Sequence, residues 1–298
     1  MFESHIGEIA AFATAVCWTA TPIAFEAAGK RVGSLTVNFI RLIIAFILIG
    51  LFTLVTRGMF LPIDATSTNW TWLTVSGLIG FVIGDLFLFE AYVKIGARIS
   101  LLIMAAVPPI TALAGYVMLN ETLTAMDLLG MFITVSGIAL VILVKGTNEK
   151  KVQLAHPLKG IIYAFIGALG QSFGTVYSKF GMGSYNPFAA TQIRIIAAIA
   201  GFCIVVTARK HWKNIFKSLK DVTAMKSIAI GSVFGPFIGV SLSLLAVQHT
   251  TTGVASTITS ISRILIIPVS IFVFKEKISA KEIIGAFITI AGVALLFV

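Results

Sequence analysis

The sequence predicts an all-α membrane protein with ten transmembrane helices in two inverted five-helix repeats. Three observations carry that expectation. Of 298 residues, 58% are hydrophobic and 11% charged, with mean hydropathy +1.01, whereas a soluble domain carries about 25% charged residues. One segment returns nearly verbatim: Gly130-Met-Phe-Ile-Thr-Val-Ser-Gly-Ile-Ala-Leu140 reappears as Gly285-Ala-Phe-Ile-Thr-Ile-Ala-Gly-Val-Ala-Leu295. Lysine and arginine also gather in alternate loops.

An apolar stretch near 20 residues crosses about 30 Å of hydrocarbon as a helix, whose backbone satisfies its own hydrogen bonds there. Ten can be read, at about Glu8 to Ala28, Leu35 to Val55, Trp70 to Val93, Ser100 to Met118, Ala125 to Val144, Gly160 to Lys179, Pro187 to Ala208, Ser227 to Val247, Gly253 to Phe274 and Glu282 to Val298. Their continuous apolarity disfavours a β-barrel, which alternates in strands of about ten residues. The first span lacks the short core and cleavage pattern of a secretory signal and is expected to stay as a membrane helix. Cys17 and Cys203 lie inside spans, without the spacing of a disulfide framework or metal site, and read as packing residues. No cofactor or metal is expected.

The repeat extends beyond its most obvious segment. Ser76, Gly80 and Gly84 of helix three fall on Gly231, Gly235 and Gly239 of helix eight, a small-residue spacing that lets membrane helices approach closely. Glu121 falls on Glu276, and Ile40-Arg41 of helix two on Ile193-Arg194 of helix seven. The units are 1–148 and 149–298. Five helices is an odd number, so the second unit starts on the opposite face and the repeat is inverted. Short cytoplasmic loops attract Lys and Arg. One face collects Lys30, Arg31, Lys94, Arg98, Lys145, Lys150, Lys151, Lys159, the 209–226 cluster, Lys275, Lys277 and Lys281, while the other holds Arg57 and Lys179. That asymmetry predicts a multi-pass protein of the plasma membrane with both termini outside the cytoplasm. It also accounts for the net charge of +10 without nucleic acid as a partner. The run from Arg209 to Lys220 reads either as a short amphipathic helix on anionic lipid or as a solvated loop.

The Leu119-Asn-Glu-Thr-Leu123 and Phe274-Lys-Glu-Lys-Ile278 segments, each followed by a glycine and a second glycine seven residues later, resemble the drug/metabolite transporter superfamily, and within it the EamA-type permeases. The resemblance covers nearly the whole chain. It implies alternating access around a central cavity without ATP hydrolysis, and the sequence has no Gly-x-x-x-x-Gly-Lys-Ser/Thr phosphate loop. It further implies a cavity lined by helices one, three, four, six, eight and nine.

Inverted repeats place substrates near the bilayer midplane, often at interrupted helices. Helix four carries Pro108-Pro109, and the repeat sets Arg263 of helix nine against Pro108. A mid-span charge costs at least about 2.5 kcal/mol, so Arg263 is expected to meet a partner or an aqueous cavity. Ser256, Thr259 and Ser260 precede it on one helical face. Arg263 either holds a substrate carboxylate or pairs with an acid. The expected acid is Asp85 of helix three, which shares a face with Tyr92. Asp85 alternatively binds a cationic group or carries a proton. Glu90 reaches Lys94 one turn on.

Trp18 and Gln171 occupy equivalent positions in helices one and six, among Thr14, Thr21, Ser172 and Thr175. Trp18 supplies a flat wall and Gln171 an orienting amide, or the polar residues among them simply bond backbone carbonyls between packed helices. Pro22 and Pro236 read as kinks. Arg41 and Arg194 are expected to snorkel to opposite interfaces. Glu121 and Glu276 read as helix-end residues with a structural or gating role.

These features predict a secondary carrier exporting or exchanging a small polar metabolite, such as an amino acid, with the lipid bilayer as surroundings and protons as one candidate coupling ion. A membrane enzyme would need a nucleophile with a base, or a metal cluster, at membrane depth. His5, His156, His211 and His249 all sit at or beyond span ends. A sensor or assembly protein without flux is the third class. Monomer and homodimer stay equally open.

Overall fold

The computed structural model describes residues 5–119, 124–145, 152–154, 156–249, 255, 258–274 and 279–295. Ser256, Glu121 and Glu276 lie outside them. Helix α1 runs Ile6–Val32 and α2 Ser34–Arg57. Helix α3, Ser67–Gly77, passes through a π-helical segment, Leu78–Gly84, into α4, Asp85–Ile103. A 3-10 turn, Met104–Ala106, leads into α5, Val107–Leu119, and α6 follows at Ala125–Ile142. A small hairpin, β1 Leu143–Lys145 antiparallel to β2 Val152–Leu154, joins the halves. Then come α7 Leu158–Met182, α8 Pro187–Ala208 and the short α9 Trp212–Ser218. Helix α10, Val222–Ser232, continues through a second π segment, Val233–Gly239, into α11, Val240–His249. Helices α12 Ser262–Phe274 and α13 Ala280–Leu295 close the chain.

Apart from that pair of strands, the regular structure of the described residues is all helical. Among the described residues, six helical stretches are long and apolar enough to cross a membrane: Ile6–Val32, Ser34–Arg57, Ser67–Ala114, Ala125–Ile142, Pro187–Ala208 and Val222–His249. The third covers two expected spans, separated at Gly96, whose φ of 82° breaks the helix. The buried carboxylate of Glu26 on α1 accepts the Ala97 N–H at 2.6 Å and so satisfies one of the amides exposed where the helix restarts. Local chemistry sets other boundaries. Thr66 with Asn69 and Thr124 with Asp127 form capping boxes, and Asn186 caps α8 with Pro187 behind it.

The two π segments occupy the same register of the repeat, the one that carries Gly80 onto Gly235. In each, hydrogen bonding widens by one residue, a distortion frequent at functional sites.

The two halves interleave through a matching pattern of helix contacts. Helix α7 packs along α3, the first π segment and α4, as α1 packs along α10, the second π segment and α11, while α6 pairs with α13. At α6/α13 a Cβ on Gly137 would meet Thr289 and one on Gly292 would meet Thr134, each about 2.4 Å away. Thr134 and Thr289 turn their hydroxyls back onto Gly130 and Gly285 carbonyls at 2.8 and 2.7 Å, so the seam is close-packed without stranded polar groups. Large exposed apolar residues such as Val55, Phe132 and Ile204 lie outward, as lipid contact requires.

Equivalent glycines meet different neighbours. Gly84 and Gly80 lie against Gly170 and Gly174 of α7, whereas Gly231, Gly235 and Gly239 receive Phe25, Thr21 and Trp18 of α1. The first interface brings backbones together, and the second is spaced by side chains.

The loops sort into two ends. At one, Arg31 pairs with Asp221 at 3.1 Å and Arg98 with Glu282; at the other, Arg57 pairs with Asp64, which accepts the Tyr185 hydroxyl at 2.9 Å. The 209–220 run contains helix α9, whose Trp212 packs edge-on against Phe39 at 5.3 Å. Asp221 caps α10 and accepts the Ala224 N–H; that bond, then Arg31, holds its carboxyl below the usual range. A lowered carboxyl pKa stabilises the fold above the ordinary value of about 3.9 and loses that contribution as pH falls through the folded value. Asp221→Asn is therefore expected to melt below wild type at neutral pH, with the gap closing on acidification. Melting curves in detergent across that range check it.

Candidate substrate cavity

A cavity of about 190 Å³ lies between the halves, a volume equal to about six liquid waters. Of the residues read from the sequence, Trp18, Asp85, Tyr92, Gln171, Thr259 and Arg263 line it. Ser260 is buried and accepts a hydrogen bond from Arg263 Nη1 at 2.7 Å. Helices two and seven contribute as well, through Arg41 and Arg194, so the lining is broader than the six helices that the resemblance implied.

The charges are arranged differently from the expectation. Asp85 pairs with Arg41, not with Arg263: Arg41 Nη2 donates to Oδ2, while Gln171 Nε2 donates to Oδ1 at 2.8 Å. Asn38 completes the network, donating to the Asp85 carbonyl at 3.0 Å and accepting from Arg41 Nε at 3.1 Å. Arg41 is 3% exposed and faces the rings of Phe25, Phe81 and Phe89 at 5.6, 5.7 and 4.5 Å. It does not snorkel to an interface. An ion pair already held in the interior satisfies this guanidinium better than a two-turn reach to water. Tyr92 lines the cavity with Asp85 and holds its ring tilted, 5.3 Å from Phe89, which lies 4.9 Å from Phe25. These rings form the wall of the cavity nearest Glu26. Glu90 lies apart, 3.8 Å from Lys94 and bonded by Ser34.

Arg263 reaches across to helix four. Proline 108 has no N–H, so the Met104 carbonyl lacks its α-helical donor. It takes instead the Val107 N–H of the 3-10 turn and Arg263 Nη2 at 3.3 Å. The carbonyl that Pro108 leaves without its helical donor is thus met by the arginine that the repeat sets against that proline.

Arg194 is the second correction. It is 4% exposed, with its guanidinium 4.6 Å from the Phe81 ring centre, so it too stays inside. Gly80 makes room for it: a Cβ there would stand 3.2 Å from Arg194 Nη2. Among the described residues, no hydrogen bond reaches Nε of Arg194 or of Arg263. Such groups are costly to leave unmade.

Trp18 lies on Gly239, with the indole nitrogen 2.8 Å from where a Cβ would stand. The surrounding hydroxyls of Thr14, Thr21, Ser172 and Thr175 bond the carbonyls four residues before them at 2.8 Å, the packing role open to them from the sequence. Asn38, Arg41, Phe81 and Arg194 are the site residues that sequence reasoning missed. The available signal is the equivalence of the two arginines within helices two and seven.

Comparison with known proteins agrees with this architecture. The EamA-like transporter family matches the chain twice, over residues 5–143 and 158–298. An uncharacterized transporter of Synechocystis sp., sll0355, is 23% identical over 275 residues, covering 86% of this chain and 79% of its own. A solved crystal structure superposes over 97% of this chain and 95% of its own with a TM-score of 0.63 at 14% identity, which shows a shared fold. With both halves matched in turn, the chain belongs to the EamA-like transporter family, within the drug/metabolite transporter superfamily.

Proposed function

We propose that this membrane transporter is a secondary carrier that exports or exchanges a small polar metabolite by alternating access. The observation that carries the reading is a charged, aromatic-walled cavity lined by apolar helices of both EamA-matching halves. Arg41 is matched by Asp85, but Arg194 and Arg263 have no carboxylate of their own among the described lining residues, which suits a cargo or water in the cavity. The reading takes ten crossings, repeat units 1–148 and 149–298, and both termini on the extracytoplasmic side of a plasma membrane. Its binding surface is Trp18, Asp85, Tyr92, Gln171, Thr259 and Arg263, with Ser256 and Ser260 extending the stripe and Glu121 and Glu276 at helix ends. The paired π segments are the places where the long helices yield as the halves rock.

Asp85 serves this site best as the fixed anchor of Arg41, because both its oxygens are occupied. Purified protein in liposomes loaded with a metabolite pool is expected to show counterflow of a labelled small solute, with any pH dependence retained in Asp85→Asn. Absence of flux for every solute that stabilises the purified protein rejects the carrier. Loss of pH dependence in Asp85→Asn makes Asp85 the proton carrier instead.

A further inference from the structure

We propose that the cavity selects a small organic monocarboxylate, whose anionic group docks on Arg194 where the second repeat lacks the acid that the first repeat uses. The inference rests on the carrier reading and names its substrate class.

The repeat makes the argument. In the first half, Arg41 of α2 is neutralised by Asp85, which stands immediately after the π segment, and Gln171 of α7 steadies the carboxylate. The register that carries Gly84 onto Gly239 carries Asp85 onto Val240, and the one that carries Arg41 onto Arg194 carries Gln171 onto Trp18. Val240, Arg194 and Trp18 all line the cavity. The second half therefore holds the same guanidinium in an equivalent place, with an isopropyl group where its counter-ion would be and an indole where the amide would be.

Charge bookkeeping points the same way. Among the described residues lining the cavity, three guanidinium groups (Arg41, Arg194 and Arg263) face one carboxylate, Asp85, which leaves two positive charges in excess. Asp85 acts electrostatically on Arg194 as well as on Arg41, so one acid is shared between guanidinium groups. Excess buried charge is costly, and a ligand anion relieves it. Guanidinium is also the group whose planar donors match a carboxylate. Arg194 and Arg263 each keep a buried Nε without a partner among the described residues. The walls are apolar and aromatic, so the cargo carries an apolar body. An ammonium group finds, among the described lining residues, only the Asp85 carboxylate, whose charge is already matched by Arg41 and whose oxygens each accept a bond. This shifts the substrate from the zwitterionic amino acid expected from sequence to an organic anion.

The test uses four probes with one body: 3-phenylpropionate, phenylalanine, 3-phenylpropanamide and phenethylamine. Binding to the full-length protein in detergent is read by tryptophan fluorescence and by thermal shift. The carboxylate is expected to bind at least tenfold more tightly than each of the other three. Arg194→Gln is expected to weaken it at least tenfold. Val240→Asp, which gives Arg194 an internal partner, is expected to abolish binding while preserving or raising the melting temperature. If either variant fails to fold, probe discrimination by the wild type and the other variant still decide.

Equal or tighter binding of the amide, the amine or phenylalanine overturns the inference, as does a folded Arg194→Gln that keeps its affinity. No binding of 3-phenylpropionate at millimolar concentration overturns it too. The two readings fail separately. Carboxylate binding that depends on Arg194, with no flux of any solute, sinks the carrier and keeps the site. Flux of a neutral or cationic solute that is indifferent to Arg194→Gln sinks the carboxylate and keeps the carrier.

Discussion

Replacing Asp85 with Ala is expected to cost about 3–5 kcal/mol of stability, the usual penalty for leaving one member of a buried ion pair alone. The loss falls on Arg41, which is buried among aromatic rings with Asp85 as its acid. Asn38 and Gln171 lose their anchor in the same step. Asp85→Asn keeps the hydrogen-bond geometry and is expected to fall between Ala and wild type. The decisive variant is the double replacement Asp85→Leu with Arg41→Leu, which removes both charges and is expected to recover most of the loss, since apolar substitutes for a buried pair are often neutral. Melting in detergent, read as a double-mutant cycle, measures the coupling. A double variant as unstable as Asp85→Ala would show that the network matters through hydrogen bonds and shape, not through charge.

Gly170→Val is expected to be the most damaging apolar change, at about 3 kcal/mol or more. Overpacking a core costs about 1–3 kcal/mol when side chains can shift. Here a Cβ would stand 2.5 Å from the Gly84 Cα and 2.8 Å from its nitrogen, so two backbones must part. They would part beside the first π segment, and the Asp85 network would move with them. Loss of monodisperse protein, or a large fall in melting temperature, checks the prediction. A Gly170→Val protein that melts like wild type would mean that α7 and the first π segment do not touch at this level.

How far the sequence could be read depends on the kind of interaction. Helices, the duplicated unit and the clustering of basic loops follow from local apolarity and spacing, and these are visible in a linear string. The capping pairs Thr66/Asn69 and Thr124/Asp127 are local in the same way. The cavity was half visible: Trp18, Asp85, Tyr92, Gln171, Thr259 and Arg263 do line it. The pairing was not, because nothing in the spacing distinguishes Arg41 from Arg263 as the partner of Asp85. That choice depends on contacts between segments distant in sequence, such as Gly77 against the Arg194 backbone and Asn38 of α2 against the Asp85 carbonyl. Snorkelling was the natural reading for an arginine two turns inside a helix when the depth of the neighbouring acid was unknown. The π segments leave no local mark either, since Leu78–Gly84 contains no proline while Val233–Gly239 contains Pro236.

The unequal glycine contacts have a consequence for orientation. Were both halves spaced alike, a guest could sit in either of two equivalent poses of equal energy. Gly84 and Gly80 bring backbones together on the α7 side, while Trp18, Thr21 and Phe25 stand between the helices beside α1. The cavity accordingly presents Trp18, Thr21 and Phe25 on its α1 side and Gln171 and Thr175 on its α7 side. A guest that enters this chamber has a head and a tail, so a duplicated, near-symmetric frame acquires a single polarity of binding.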